Sequence, residues 1–280
     1  SISTSTGATS CTLCASGTYQ SNTGQISCGT VSAGSFASIS GAAVSSGATE
    51  VTACAIGYSS DSGATACTPC PSGYYQDNTG QATCIGVSAG YYAIDGNSAS
   101  TSSAAVSFTA CGTGYYSAYA SSICTQAQAG YMATDGSGTG VNTAAITQEA
   151  CGSGYYSSSP GAPACSQAVA GSYSSDTSGN AVSTAATTQT TCPIGKYGAS
   201  AGLSQCVECA LGYYASSTGL TVCQVVGSGS YASTTGVEDG SGASGATICP
   251  VGRYSGGGVS ACSNCPAGKT VTAGEGTSVD

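Results

Sequence analysis

The chain has 280 residues, with three cations against twelve carboxylates, and neither His nor Trp. A net charge of −9 without a basic cluster excludes nucleic acid as a partner and disfavours anionic membrane surfaces. Without His, and with no Ser or Cys beside a base, the usual acid–base and nucleophile constellations cannot be assembled, so no catalytic residue and no enzyme is expected.

Leu, Ile, Val and Phe make up only about 12 % of the chain, well below the roughly 20 % associated with a packed core. Gly, Ser and Thr dominate instead, a composition that would normally leave a chain disordered. Eighteen cysteines change that reading. At this density and with regular spacing they indicate an oxidising, extracellular or cell-surface location and a disulfide framework.

In chain order, "SISTSTGATS" (1–10) has neither an initiator Met nor a signal-peptide core. The expectation is that a signal was removed or that the chain is an internal section of something longer. After Cys11 comes the first short loop, "CASGTYQSNTGQISC" (14–28); its outline returns as "CPSGYYQDNTGQATC" (70–84) and "CALGYYASSTGLTVC" (209–223). Cys-x-x-Gly places glycines at 17, 57, 73, 114, 154, 195, 212, 252 and 268, and Tyr19, Tyr75, Tyr116, Tyr156, Tyr197, Tyr214 and Tyr254 follow two residues later. Between some short loops lies a longer, cysteine-free stretch with Gly34, Gly90, Gly130, Gly171 or Gly229 six residues after the preceding Cys. Phe36, Tyr92, Met132, Tyr173 and Tyr231 again sit two residues on, so these long loops open like short loops that have lost their first cysteine.

A larger period is superimposed. Cys11, Cys14, Cys28, Cys54, Cys67 and Cys70 recur, offset by 195 residues, at Cys206, Cys209, Cys223, Cys249, Cys262 and Cys265. With no linker at the seam, residues 1–280 read as one continuous repeat array. Turn residues fill the loop middles and strand-compatible Tyr, Val, Ile and Thr flank the glycines. No segment shows a 3.6-residue apolar period. The expected fold is small, disulfide-rich and mostly β or irregular: an elongated tandem array of short disulfide-closed hairpins with almost no helix.

The CxxC doublets at 11/14, 67/70, 206/209 and 262/265 invite a redox or zinc reading. The chain lacks the βαβ context of the first and the ligand spacing of the second, so no metal and no cofactor is expected. A doublet occurs wherever two short loops abut, its first Cys closing one and its second opening the next. That scheme pairs Cys14–Cys28, Cys54–Cys67, Cys70–Cys84, Cys111–Cys124, Cys151–Cys165, Cys192–Cys206, Cys209–Cys223 and Cys249–Cys262. A rival scheme pairs within doublets and across long loops; it is weaker because a bridge between such near neighbours is strained. Cys11 and Cys265 remain without partners in the first scheme. The loop opened by Cys265 should close near position 279 to 281, and the loop closed by Cys11 should open before Ser1. Both ends thus break inside a repeat, which suggests a window on a longer polypeptide or closure by neighbouring subunits.

The motif "CTPCPSGYYQDNTGQATC" and the ending "CSNCPAGKTVTAGEGTSVD" resemble cysteine-rich repeats of ephrin-receptor-like type. They are also similar to the first sub-module of tumour-necrosis-factor-receptor repeats. The resemblance implies an extracellular protein, of the kind found in protist and algal mastigonemes (flagellar hairs) and in ciliate surface antigens.

The remaining features are structural or decorative. A tyrosine spine packing on glycine and disulfides of the next repeat is the expected role of the recurrent ring, with carbohydrate stacking as the alternative. Asp95, Asp135 and Asp176 read as Asx-turns. None of the six asparagines lies in a glycosylation sequon, whereas stretches such as 3–10 and 183–191 are candidates for O-linked glycans. No run approaches the 18 apolar residues needed to span a bilayer. The expected function is an extracellular structural protein that self-associates into a filament or surface coat, mastigoneme-like in its sharpest form. The alternative is a surface antigen or receptor-like binding ectodomain of a protist.

Overall fold

The computed structural model describes residues 2–3, 5–236, 238 and 240–271. The loop opened by Cys265 runs beyond the last of these, so its expected closure lies outside the described residues. The described residues contain 27 short strands and no helix. Almost all pair as two-stranded antiparallel hairpins; one sheet, at 35–53, has three strands.

Each short-loop hairpin begins in the Cys-x-x-Gly motif. The Thr18 N–H donates to the Ala15 carbonyl, Tyr74 to Pro71 and Tyr155 to Gly152, closing a β-turn whose third residue is the glycine. Gly17, Gly73 and Gly154 sit at φ +72°, +80° and +80°, the conformation that this turn position demands and that glycine adopts at least cost. Two extended residues follow and pair with the two residues after the closing cysteine: Thr18 with Thr30 and Tyr19 with Gly29 in the first loop, Tyr213 with Val225 and Tyr214 with Gln224 in a later one. The next N–H then donates back to the glycine carbonyl, as Cys70 does to Gly57 and Cys209 to Gly195. That geometry explains the doublets: two residues are needed for the pairing and the third starts the next repeat.

Long loops use the same opening but extend the ladder. Tyr91–Ile94 pairs with Ser107–Ala110, Ser172–Ser175 with Thr188–Thr191, and Ser230–Ser233 with Gly245–Ile248. Ala104 and Ala144, three residues before the second strands of two long loops, are turn residues at φ +53° and +56°.

The chain divides into two compact units, one formed by residues 1–126 and 133–148, the other by 127–132 and 149–280. In the first, a turn N–H of one repeat donates to the carbonyl of the first residue of the repeat before it: Gly47 to Cys14, Gly63 to Val31, Gly80 to Cys54, Ala104 to Cys70, Ala120 to Val87 and Ala144 to Cys111, all at 2.8–2.9 Å. The second unit repeats the scheme with Gly161 to Ala127, Ala185 to Cys151, Gly202 to Ala168, Gly219 to Cys192, Gly242 to Cys209 and Gly258 to Val226, at 2.7–2.9 Å.

The core is correspondingly thin. In each unit it is a column of first residues, with Cys14, Cys54, Cys70 and Cys111 buried in the short loops of the first and Cys151, Cys192, Cys209 and Cys249 in those of the second. Val31, Val87, Ala127, Ala168 and Val226 are buried in the same place in the long ones. The lost cysteine of a long loop is thus replaced by a small apolar side chain, valine or alanine, buried at 0–1 % exposure.

Candidate functional site

The structure joins Cys14–Cys28, Cys54–Cys67, Cys70–Cys84, Cys111–Cys124, Cys151–Cys165, Cys192–Cys206, Cys209–Cys223 and Cys249–Cys262, with Cα–Cα distances of 5.6–5.9 Å. Cys11 is an exposed free thiol and Cys265 a half-buried one. Each bridge ties the buried first residue of a loop to the closing end of its hairpin, which is half-exposed in every loop but the last, where Cys262 is buried as well.

The motif glycines have a second duty besides the turn. A Cβ built on Gly73 would lie 1.7 Å from the Ala120 carbonyl oxygen, one on Gly34 2.1 Å from that of Gly80, and one on Gly154 1.9 Å from that of Gly202. In each case the obstacle is the turn of the repeat after next. A repeat therefore touches the next one by its carbonyl and the one beyond by its glycine.

The recurrent tyrosine is half-buried, and what it packs on depends on the loop that follows. Tyr19 lies against Val31, Ala37 and Ala48, Tyr75 against Val87, Ala93 and Ala105, and Tyr214 against Val226, Ala232 and Ala243. For these three tyrosines the finding differs from the expected contact with glycine and disulfide: the first residue of the long loop that follows is valine, so the ring meets aliphatic carbon. Tyr231, which precedes a short loop, does pack on Cys249 and Cys262.

Sequence reasoning missed the position three residues after each motif glycine. Ser60, Gln76, Ser117, Ser157 and Ser255 are buried there, as are Ala37, Ala93, Ala133, Ala215 and Ala232. Restriction to small or amide side chains was the available signal. Ser60 Oγ donates to the Ser35 carbonyl, Ser117 to Tyr91 and Ser255 to Ser230, at 2.6–2.8 Å, each sealing a short loop to the long hairpin before it. Gln20 and Gln76 instead span their own loops, donating to Ser27 and Thr83 and accepting from the Asn22 and Asn78 N–H groups.

Charged groups are dispersed. Asp95 Oδ1 accepts from the Asn97 and Ala99 N–H groups, and Asp176 Oδ1 from Ser178 and Asn180. The side-chain hydrogen bond from Asn180 and then that residue's N–H hold the Asp176 carboxyl below its ordinary value; Ser137 does the same for Asp135. Glu208 is lowered by the Ser241 hydroxyl first and then by Lys196, 3.3 Å away. Arg253 pairs with Glu238 at 2.8 Å. Among the described residues no three His, Cys, Asp or Glu side chains are grouped as metal ligands would be, and none forms a helix long and apolar enough to cross a membrane.

Residues 57–111 match the family model described as tyrosine-protein kinase ephrin type A/B receptor-like. The segment holds most of one short loop, all of the 70–84 loop, and the long loop ending at Cys111. This segment carries ephrin-receptor-like cysteine-rich repeats. The same bridge spacing and hairpin geometry recur outside the matched segment, in the loops at 14–28 and from 151 to 262. No curated protein matches the chain significantly. Ephrin-receptor-like repeats with this disulfide density are typical of extracellular and cell-surface proteins.

Proposed function

We infer that the chain is a structural stretch of an extracellular filament or surface coat, of mastigoneme-like character, and has no enzymatic role. The observation that carries this reading is the ladder of turn N–H groups donating to the first-residue carbonyl of the preceding repeat within each unit. Hydrogen bonds of this kind are made by backbone and depend little on side-chain identity, so the ladder is indifferent to how many repeats are stacked. The buried surface is spent on joining repeats rather than on enclosing a ligand. O-linked glycans on Ser and Thr of the long loops would shield the exposed strand edges from proteases and from stray pairing.

Negative-stain electron microscopy of the native material tests the reading: filaments or a regular coat are expected, and dispersed monomers under all conditions would sink it. Intact mass of natively purified protein tests the glycans, since a mass equal to the bare 26.5 kDa would exclude them. The family match at 57–111 favours one second reading, a receptor-like or antigenic binding ectodomain. A membrane anchor encoded in the same gene together with a soluble monomeric chain would support it over the filament.

A further inference from the structure

Three surface grooves of this structure are the same groove. One, of about 380 Å3, is lined by Tyr92, Gly112, Tyr115, Ile123 and Cys124, with Ser100 and Ala110 at its edge. A second, of about 200 Å3, is lined by Tyr197, Ala210, Tyr213, Val222 and Cys223. A third, of about 220 Å3, takes Tyr173, Pro193, Lys196, Gln205 and Cys206, with Ala181 beside them. In repeat terms the lining is identical. It comprises the aromatic two after one glycine, then four residues of the next loop: the one after its first Cys, the one after its glycine, its closing Cys and the residue before that.

The recurrence has a physical cause. Successive residues of a strand face opposite sides, so in the opening strand at 196–197 the first side chain turns toward the repeat before and the second toward the repeat after. Lys196 and Tyr197, adjacent in one strand, accordingly line different grooves. The Tyr115 and Tyr213 rings are 39 % and 42 % exposed, and Ile123 and Val222 beside them 64 % and 67 %. This leaves one tyrosine and an aliphatic side chain in each groove well exposed to solvent, beside the half-buried Tyr92 or Tyr197.

We propose that the two doubly aromatic grooves, at Tyr92/Tyr115 and Tyr197/Tyr213, each bind one pyranose ring of a neutral glycan. Charge selects the ligand class. Neither groove contains an ionisable cation or carboxylate, and the chain as a whole carries −9, so an anionic ligand meets repulsion with nothing to offset it. A pyranose presents C–H groups to the ring faces and keeps its hydroxyls toward the wet rim. The volumes lie at or below the lower end of the usual range for ligand clefts, about 300–1,000 Å3, which suits one sugar ring. In the third groove Lys196 replaces the second ring and is engaged with Glu208, so that site is not expected to bind. The inference does not depend on filament formation, since each groove is complete within the chain.

The test uses the whole chain labelled with 13C-tyrosine, titrated with neutral tetrasaccharides of glucose, mannose and galactose. Saturable shifts of the Tyr92, Tyr115, Tyr197 and Tyr213 ring signals are expected with at least one of them. Tyr119, which is 63 % exposed and lines none of these grooves, should stay in place. A dissociation constant on the order of 1 mM is expected for a contact of this size. Tyr115→Ala and Tyr213→Ala should each weaken binding about five-fold at their own groove and leave the other unchanged. The wild-type titration stands alone if either variant misfolds. Absence of saturable shifts up to about 50 mM with all three sugars, or shifts spread equally to Tyr119, would overturn the proposal. Tighter binding of a sulfated tetrasaccharide would overturn its neutral character. Shifts caused by N-acetyl-leucinamide but by no sugar would assign the grooves to an apolar side chain of a protein partner instead.

Discussion

The short and long loops solve one problem by different means. Both open on a motif glycine at positive φ, and both close by an N–H donated back to that glycine's carbonyl. The loop at 209–223 holds itself with a strand pair of two residues a side and one disulfide. The long loop that follows it has no bridge and uses a ladder of four residues a side, Ser230–Ser233 on Gly245–Ile248. Across such long hairpins diagonal hydroxyls join: Ser38 with Thr52 at 2.8 Å, Ser175 with Thr190 at 2.7 Å, and Ser233 with Thr247. Where the bridge is lost, the first residue becomes Val or Ala, and the tyrosine preceding each of the three valines packs on it. A covalent bond that limits the unfolded chain is thus replaced by roughly double the pairing plus a small apolar cluster, which stabilise the folded state directly.

The comparison is broken most severely by reduction. Reducing and alkylating all eight bridges should unfold the chain without denaturant, seen as loss of the near-ultraviolet tyrosine dichroism; retention of that signal would mean that the long hairpins suffice. A single deletion, Cys111→Ala with Cys124→Ala, should cost about 3 kcal/mol by the chain-entropy account of a loop of this length. Denaturant titration of that variant measures it.

Next in size is the glycine that both loop types share. Gly73→Ala would drive a Cβ into the Ala120 carbonyl at a φ of +80° and should cost at least about 2 kcal/mol. Gly96→Ala, with nothing within 4 Å, should stay within about 0.5 kcal/mol of wild type. Equal losses for the two would refute the close-approach argument.

The valine that stands in for cysteine comes third. Val87→Ala removes two buried methyl groups from the cluster beneath Tyr75 and should lower stability by about 2 kcal/mol. Thermal unfolding of the variant reads this, and a change under about 0.5 kcal/mol would show that the column tolerates a gap.

The smallest effect belongs to the long-loop turns. The folded-state carboxyl of Asp176 is depressed, so its stabilisation is present above the ordinary carboxylate value. It is lost as pH falls through the depressed one. The difference in melting temperature between wild type and Asp176→Ala should therefore be positive at pH 6 and shrink as pH falls below the ordinary carboxylate value of about 3.9. A difference that grows on acidification has the wrong sign for this account.

Repeat boundaries, the hairpin character of each loop and, among the described residues, the absence of helix were legible in the chain because they are local. The spacing Cys-x-x-Gly-x-Tyr contains the turn, its positive-φ residue and the first strand within six residues. No long-range information is needed to read them. The candidate surfaces were less legible. Tyr115 and Tyr213 look like any other tyrosine in the sequence. Their grooves exist only because a strand two residues long points one side chain back and the other forward.

What the sequence by itself determined is therefore each repeat: which glycine turns, which residues extend, and where polar turn material sits. Tertiary structure decided how the repeats meet. Turn N–H groups such as those of Gly63 and Ala120 reach carbonyls of Val31 and Val87, and no side-chain pattern announces a bond between two backbone groups. It also placed Ala104, Ala120, Ala144 and Ala185 in left-handed turns that local preference assigns to glycine. Those residues hold a conformation costing about 1–2 kcal/mol each, because the ladder bond and the contact with the glycine two repeats back are made only there.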